Sequence, residues 1–312
     1  MEDKNIDLKV NIAGITLNNP ITTAAGTFSA KESGEFYDIN ELGAIITKGV
    51  SIIPWEGNPT PRIAETYGGM INSIGLQNLG IDYFIKEDLP YLKTFNTKII
   101  VNVVGRTIEE YCQVVERLSD TEIDMMEINI SCPNIKEGGI SFGTNPRTAE
   151  GIAKAVRVLT RKPIIMKLTP NVSDITEIAK AVEAGGAHGI SLINTILGMR
   201  IDIDRRKPVL FHKMGGLSGP AIKPIAVRMV YQVRKAVKLP IIGGGGIMTG
   251  EDAVEFMMAG ADAVSVGTAA LVNPTAPITI KNELIKLMKQ YGYKNLLEIR
   301  EAMQETQGKA DA

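Results

Sequence analysis

Apolar residues gather in eight short runs with strand character: Ile21 to Ala25, Ala44 to Lys48, Ile99 to Val104, Met126 to Ser131, Ile164 to Leu168, Gly189 to Asn194, Ile241 to Gly244 and Ala263 to Val266. Runs this short and this continuously apolar suit strands covered on both faces, as in a parallel sheet. Between most of them, Ile108 to Leu118, Thr148 to Leu159, Ile175 to Ala184, Ala221 to Val237 and Glu251 to Ala259 repeat apolar residues at helical spacing. Eight strands alternating with helices predict a parallel (β/α)8 TIM barrel with right-handed crossovers. Ahead of it, Leu8 to Ile12 and Ile15 to Leu17 alternate around Ala13-Gly14, an N-terminal β-hairpin placed to plug the barrel floor. Two helix exits, Glu183-Ala-Gly-Gly-Ala-His-Gly and Met258-Ala-Gly-Ala-Asp, resemble each other, with glycine where the helix stops before a strand.

Three connections are long, 54–79, 132–146 and 194–220, and all leave the C-terminal ends of strands. In a barrel they converge on one mouth as long βα loops, the place where such folds put their chemistry. Gly138, Gly139 and Gly143 make the second a candidate gate. Asn282 to Gln304 reads as two helices, and Gly308 to Ala312 as a frayed tail.

Composition narrows the class. The chain has 312 residues, which suits one barrel domain spanning 1–312, and 44% hydrophobic with 22% charged residues argues against disorder. With 34 Lys and Arg against 35 Asp and Glu there is no basic excess to attract nucleic acid. No run approaches 18 apolar residues, two cysteines fit a reducing compartment, and the start lacks a signal pattern, so the expectation is a soluble cytoplasmic protein without membrane contact. His188 and His212 stand far apart without carboxylate spacing, which predicts no metal site and no Ser-His-Asp triad.

Candidate chemistry sits at strand ends, above all in Glu127-Ile-Asn-Ile-Ser-Cys-Pro-Asn134. Cys132 stands on a turn stiffened by Pro133, and as a thiolate it would serve as base or nucleophile, while packing is the other reading for it. Cys112, within a helical pattern, reads as packing. Lys48 and Lys167 end apolar runs, where a buried ammonium calls for an anion or an electron-rich ring. Asn72, Asn102, Asn129, Asn134 and Asn194 offer amide donors and acceptors for a planar, amide-rich ligand. Gly243 to Gly246 and Gly267-Thr268 follow the seventh and eighth strands, where barrels bind phosphate through backbone N–H groups.

Six motifs in one order, Gly57-Asn-Pro-Thr-Pro-Arg, Asn72-Ser-Ile-Gly-Leu-Gln-Asn, Asn129-Ile-Ser-Cys-Pro-Asn, Ile193-Asn-Thr, Gly215-Gly-Leu-Ser-Gly-Pro-Ala-Ile-Lys-Pro and Ile242-Gly-Gly-Gly-Gly-Ile, resemble class 1 dihydroorotate dehydrogenases over nearly the whole chain. The resemblance implies a barrel holding FMN at its mouth and oxidising (S)-dihydroorotate to orotate in pyrimidine synthesis. It implies that Cys132 is the base for the C5 proton while the C6 hydride passes to flavin N5. It places Lys48, Asn72, Ile74, Gly75, Leu76, Asn129, Asn134, Asn194 and Thr195 around orotate. Around FMN it places Ala25, Thr47, Lys48, Asn102, Asn129, Lys167, Ile193, Gly219, Gly245, Gly246, Gly267 and Thr268, with Lys167 near flavin N1 and C2=O. Ala25-Gly26 departs from relatives that carry serine before this glycine, which leaves only a backbone contact there.

Ile193-Asn-Thr-Ile-Leu-Gly-Met-Arg-Ile-Asp-Ile-Asp and Lys213-Met-Gly-Gly-Leu-Ser-Gly-Pro resemble the NAD-linked class 1B catalytic subunit. That implies a homodimer core and a separate partner subunit carrying FAD and an iron–sulfur cluster, since two cysteines cannot hold a four-cysteine cluster. The alternatives are a class 1A-like homodimer that reduces fumarate, a non-redox lyase or synthase barrel using the glycine loops and a lysine, and a catalytically silent binding module.

Overall fold

The computed structural model describes residues 6–131, 136–137 and 140–304, with only the backbone of 136–137 and 140–141. Eight parallel strands close into a barrel: β1 (Ile21–Thr23), β2 (Ala44–Ile46), β3 (Lys98–Val103), β4 (Met125–Asn129), β5 (Ile164–Lys167), β6 (Gly189–Leu192), β7 (Ile241–Gly244) and β8 (Ala263–Val266). Each pairs with its sequence neighbour, and β8 closes the ring on β1 through Val266 and Thr23. The eight runs read from the sequence therefore all exist, those at β7 and β8 with the same bounds.

The covering helices follow the predicted spacing: α1 (Ile108–Ser119), α2 (Pro146–Arg157), α3 (Ile175–Ala184), α4 (Lys223–Ala236) and α5 (Gly250–Met258). The starts of α1, α2, α3 and α5 are fixed by side-chain caps. Thr107 accepts from the Glu110 N–H at the head of α1, and Thr249 and Asp252 form a reciprocal box at the head of α5. The C-terminal segment forms two helices, Ala276–Tyr291 and Leu296–Arg300, the first starting earlier than read from the sequence. His188, just past α3, accepts a hydrogen bond from the Ile164 N–H through Nδ1 at 3.1 Å, a structural tie at a helix end.

Burial separates two apolar layers. One lies between the barrel wall and the helices. The other fills the lower barrel: Ala44, Ile46, Ile100, Met125, Ile165, Ile242 and Ala263 pack against Ile12 and Leu17 of the N-terminal hairpin (Val10–Ile12, Ile15–Leu17). The hairpin does plug the barrel, and Ile12 and Leu17 have no exposed surface.

The connections after β2 and β6 depart from the plain loops that their composition suggests. Ile63–Thr66 and Gly69–Asn72 form a hairpin, which pairs through Met214–Ser218 with Ile196–Met199 in a four-stranded antiparallel sheet over the C-terminal side. Helical turns between Gly80 and Leu92 also complete the β2–β3 connection. Neither carries a local periodic signal long enough to stand out; the sheet exists because segments more than a hundred residues apart pair.

Candidate active site

The site is the last layer of the barrel interior. Side chains alternate along a strand, so the residues two positions beyond the apolar floor point to the same interior. Ile100 is followed by Asn102, Met125 by Glu127 and then Asn129, and Ile165 by Lys167. The register puts Asn102 beside Glu127, Asn129 beside Lys167, and Lys167 beside Ser191. Glu127 is 1% exposed and Asn102 fully buried, so each polar atom needs a partner.

They find one another. Asn102 Nδ2 donates to Glu127 Oε1 at 2.6 Å, and Ser191 Oγ donates to Glu127 Oε2 at 2.6 Å. Lys167 Nζ lies 3.6 Å from Glu127 Oε1, its side chain 11% exposed. Asn129 Nδ2 donates to Asn102 Oδ1 at 3.3 Å, and Ser131 Oγ donates to Asn129 Oδ1 at 2.7 Å. Asn194 Nδ2 donates to Ser131 Oγ at 2.6 Å, and the Thr195 N–H to Asn194 Oδ1 at 2.8 Å. From the helix layer outside the barrel, Tyr111 of α1 donates its hydroxyl to the Asn129 carbonyl at 2.7 Å. One connected network thus runs across the ends of four strands, β3 to β6.

Thr47 joins from β2, its hydroxyl accepting from the Asn102 N–H at 3.2 Å. Lys48, next along the chain, keeps contact with solvent at the rim. Its ammonium is pushed below the usual lysine range first by desolvation and then by the Arg62 charge. A cavity of about 650 Å³ opens beside Thr47 and Lys48, lined also by Phe28, Trp55, Asn78 and Tyr83. It adjoins the polar layer on one side and is not its centre.

The outer wall comes from the small sheet. Asn72 Nδ2 reaches the Gly216 carbonyl at 3.4 Å, and a Cβ at Gly216 would collide with the Thr195 side chain. The wall is thereby held against the Asn194-Thr195 turn. Gly75 and Leu76 both take positive φ, 79° and 53°, directly after Ile74, whose carbonyl accepts from the Asn58 N–H at 2.9 Å.

A third group lies at the ends of β7 and β8. The Ile193 N–H donates to the Gly244 carbonyl at 2.9 Å, and Gly245 and Gly246 continue at φ 123° and 91°. A Cβ at Gly246 would stand 2.8 Å from the Gly219 carbonyl, and one at Gly219 2.7 Å from Gly69 Cα. Thr268, the residue after Gly267, donates its hydroxyl to Ser218 at 2.9 Å. Nearby Lys223 is engaged, its Nζ 2.7 Å from both Asp252 and Glu255. Ala25, two residues past β1, is partly buried against the apolar cluster that fills the barrel and brings no side-chain donor. Cys112 sits half-buried against the outer core, its thiol pushed up by burial and by Glu116 and Glu109, consistent with packing.

Cys132 and Asn134, with Gly138 and Gly139 of the candidate gate and the tail from Gly308, lie outside the described residues. Apart from Ala25, which packs on the apolar cluster inside the barrel, the other site residues read from the sequence fall at this mouth or in its wall. Glu127, Ser191 and Ser218 belong to it and are not in that set. For Glu127 the available signal was a lone acid on the interior face of an otherwise apolar strand.

The donor set fits a flavin mononucleotide. A cation, amides and a hydroxyl form one floor for a planar ring rich in N–H and C=O groups, and side-chain-free glycines beside a hydroxyl pair suit a phosphate. Among the described residues no cluster of three His, Cys, Asp or Glu could hold a metal, and no helix is long and apolar enough to cross a membrane.

The chain is similar to known proteins over nearly its whole length. The family model described as dihydroorotate dehydrogenase matches residues 7–288. The chain is 61% identical over 296 residues to the dihydroorotate dehydrogenase B (NAD(+)) catalytic subunit of Alkaliphilus metalliredigens, covering 95% of this chain and 98% of the relative. It is 54% identical over 300 residues to the protein of the same description from Geobacter sulfurreducens, covering 96% and 98%. Among solved structures, that of DHODH from Eimeria tenella in complex with ferulenol superposes with a TM-score of 0.80 at 25% identity, covering 96% of this chain and 89% of that one.

Proposed function

The chain belongs to the dihydroorotate dehydrogenase family, and from that premise we propose that it is the catalytic subunit of an NAD-linked class 1B enzyme oxidising (S)-dihydroorotate to orotate in pyrimidine synthesis. The whole chain, 1–312, acts as one FMN-binding barrel domain. The observation that carries the reading is the buried polar layer of Asn102, Glu127, Asn129, Lys167 and Ser191, paired charges and amides at a place where apolar side chains would fill the interior with no loss of stability. FMN, when bound, supplies the acceptor for the hydride that leaves substrate C6.

Lys167, Asn102 and Thr47 present a cation and donors to the ring. Gly219, Gly245, Gly246, Gly267 and Thr268 hold the phosphate end, Ile193 touches the ring or the ribityl chain, and Ala25 adds a backbone contact. Lys48 pairs with the orotate carboxylate, while Asn72, Asn129, Asn134, Asn194 and Thr195 bind the pyrimidine edge and Ile74, Gly75 and Leu76 close its side. Cys132 takes the C5 proton as base. A protonated thiol and a reduced cofactor then account for the two hydrogens that the substrate loses.

A separate subunit bearing FAD and an iron–sulfur cluster carries the electrons to NAD, around a homodimer of this chain. The dimer is supported by an apolar outer face on the small sheet, where Leu197, Met199, Met214 and Ile63 are all about half exposed. Purified protein should be yellow, bleach anaerobically with dihydroorotate, and reduce NAD only with the partner subunit present. Cys132→Ser should bind orotate yet reduce its flavin at least about 100-fold more slowly. A colourless protein unable to take up FMN would overturn the reading.

A further inference from the structure

Glu127 is the one acid in the polar layer, and the reaction as described gives it no part. Three of its neighbours face it: Lys167, Asn102 and Ser191. A carboxylate at 1% exposure held by two 2.6 Å hydrogen bonds and a cation is fixed in place, and it fixes its partners in turn. Two of those partners, Lys167 and Asn102, are residues assigned above to the flavin. Depth adds a second consequence. Lys167 retains 11% side-chain exposure where Glu127 retains 1%, so the cation lies toward the mouth and the anion beneath it. A ring admitted from the mouth meets Lys167 first and feels the Glu127 charge behind it through a poorly screened interior.

We propose that Glu127 is a positioning residue that orients Lys167 and Asn102 toward the flavin and, through its buried negative charge, holds the reduction potential of bound FMN below the value Lys167 alone would set. The proposal rests on the mouth being an FMN site. The two-electron reduction of the flavin adds negative charge to it. Lys167 favours that charge and Glu127 opposes it, so removing each should move the potential in opposite directions.

The test is the midpoint potential of FMN in the holoprotein, measured by spectroelectrochemistry beside FMN affinity and thermal unfolding. Glu127→Gln keeps the shape and removes the charge. It should raise the potential by about 30 mV or more, a tenfold change in the reduced-to-oxidised ratio of a two-electron couple. Lys167→Gln should lower it, and the double variant should return toward wild type. An unchanged potential in Glu127→Gln that binds FMN would overturn the proposal, as would lost FMN affinity and stability with no shift, the pattern of a structural role alone. Should the variant not fold, wild-type protein labelled at its glutamate carboxylates gives the answer by infrared difference spectroscopy. A labelled carboxylate band should change on flavin reduction, and its absence would overturn the proposal. Wild-type protein that takes up no FMN would instead remove the site reading, and the proposal with it.

Discussion

The floor and the mouth of the barrel interior are made by the same strands, two residues apart. Below, Ile100, Met125, Ile165, Ile242 and Ala263 pack on the hairpin residues Ile12 and Leu17. Above, Asn102, Glu127 and Lys167 occupy the next interior positions of β3, β4 and β5. The floor is stabilised by removing apolar area from water and tolerates any filling of the right volume. The mouth gains little from burial and stands only because each polar group has a specific partner, so its sequence is constrained atom by atom. Stability is concentrated at one end of the barrel and chemistry at the other.

Breaking the mouth should cost the most. Glu127→Leu would leave Lys167 as a buried charge without its carboxylate and strip Asn102 and Ser191 of their acceptor. Removing one partner of a buried pair costs about 3–5 kcal/mol, and urea unfolding of the apoprotein should show a loss of that order. A loss below about 1 kcal/mol would mean that the layer is hydrated and not paired.

The floor should respond through volume alone. Leu17→Ala empties a fully buried position between hairpin and barrel and should cost about 3 kcal/mol. FMN affinity should stay within about twofold, because no polar partner is lost. A large fall in FMN affinity would show that floor and mouth are coupled and would blur the division between them.

At the glycine ridge the effect should be smaller in stability and selective for the cofactor. Gly246→Ala places a Cβ 2.8 Å from the Gly219 carbonyl at a φ of 91°. Strain of this kind costs about 1–3 kcal/mol. Flavin titration of the apoprotein should show FMN affinity falling tenfold or more, while riboflavin, which lacks the phosphate, should lose much less. Equal losses for both would separate this ridge from the phosphate.

How far each region is legible in the sequence follows from the same contrast. The barrel strands are local apolar runs, so Ile241 to Gly244 and Ala263 to Val266 can be bounded to the residue. Lys48, Lys167 and the asparagines are visible because polar residues interrupt such runs at their ends. Glu127 is harder to see, since its importance comes from Asn102, Ser191 and Lys167 on three other strands. The small sheet is invisible for a related reason: Gly69–Asn72 becomes a strand only against Met214–Ser218, and nothing local announces that pairing. Patterns within a run reveal the floor, whereas contacts between runs make the mouth.

The rim of the mouth offers the mildest test, through pH. Lys48 has its ammonium pushed below the ordinary lysine value, first by desolvation and then by Arg62. Between the lowered folded pKa and the unfolded value of about 10.4, the folded chain binds fewer protons than the unfolded one. The cost of holding the charge is therefore present at neutral pH and is lost as pH rises through that interval. Orotate binding should show the opposite dependence, because the carboxylate needs the charged form. Its affinity should be constant near neutrality and weaken as pH climbs through the same interval, the loss amounting to several-fold. In Lys48→Gln the affinity should be lower throughout and flat over that range. Titration of flavin absorbance with orotate at a series of pH values reads both, and a wild-type affinity that stays flat up to the ordinary lysine pKa would mean that Lys48 does not carry the orotate charge.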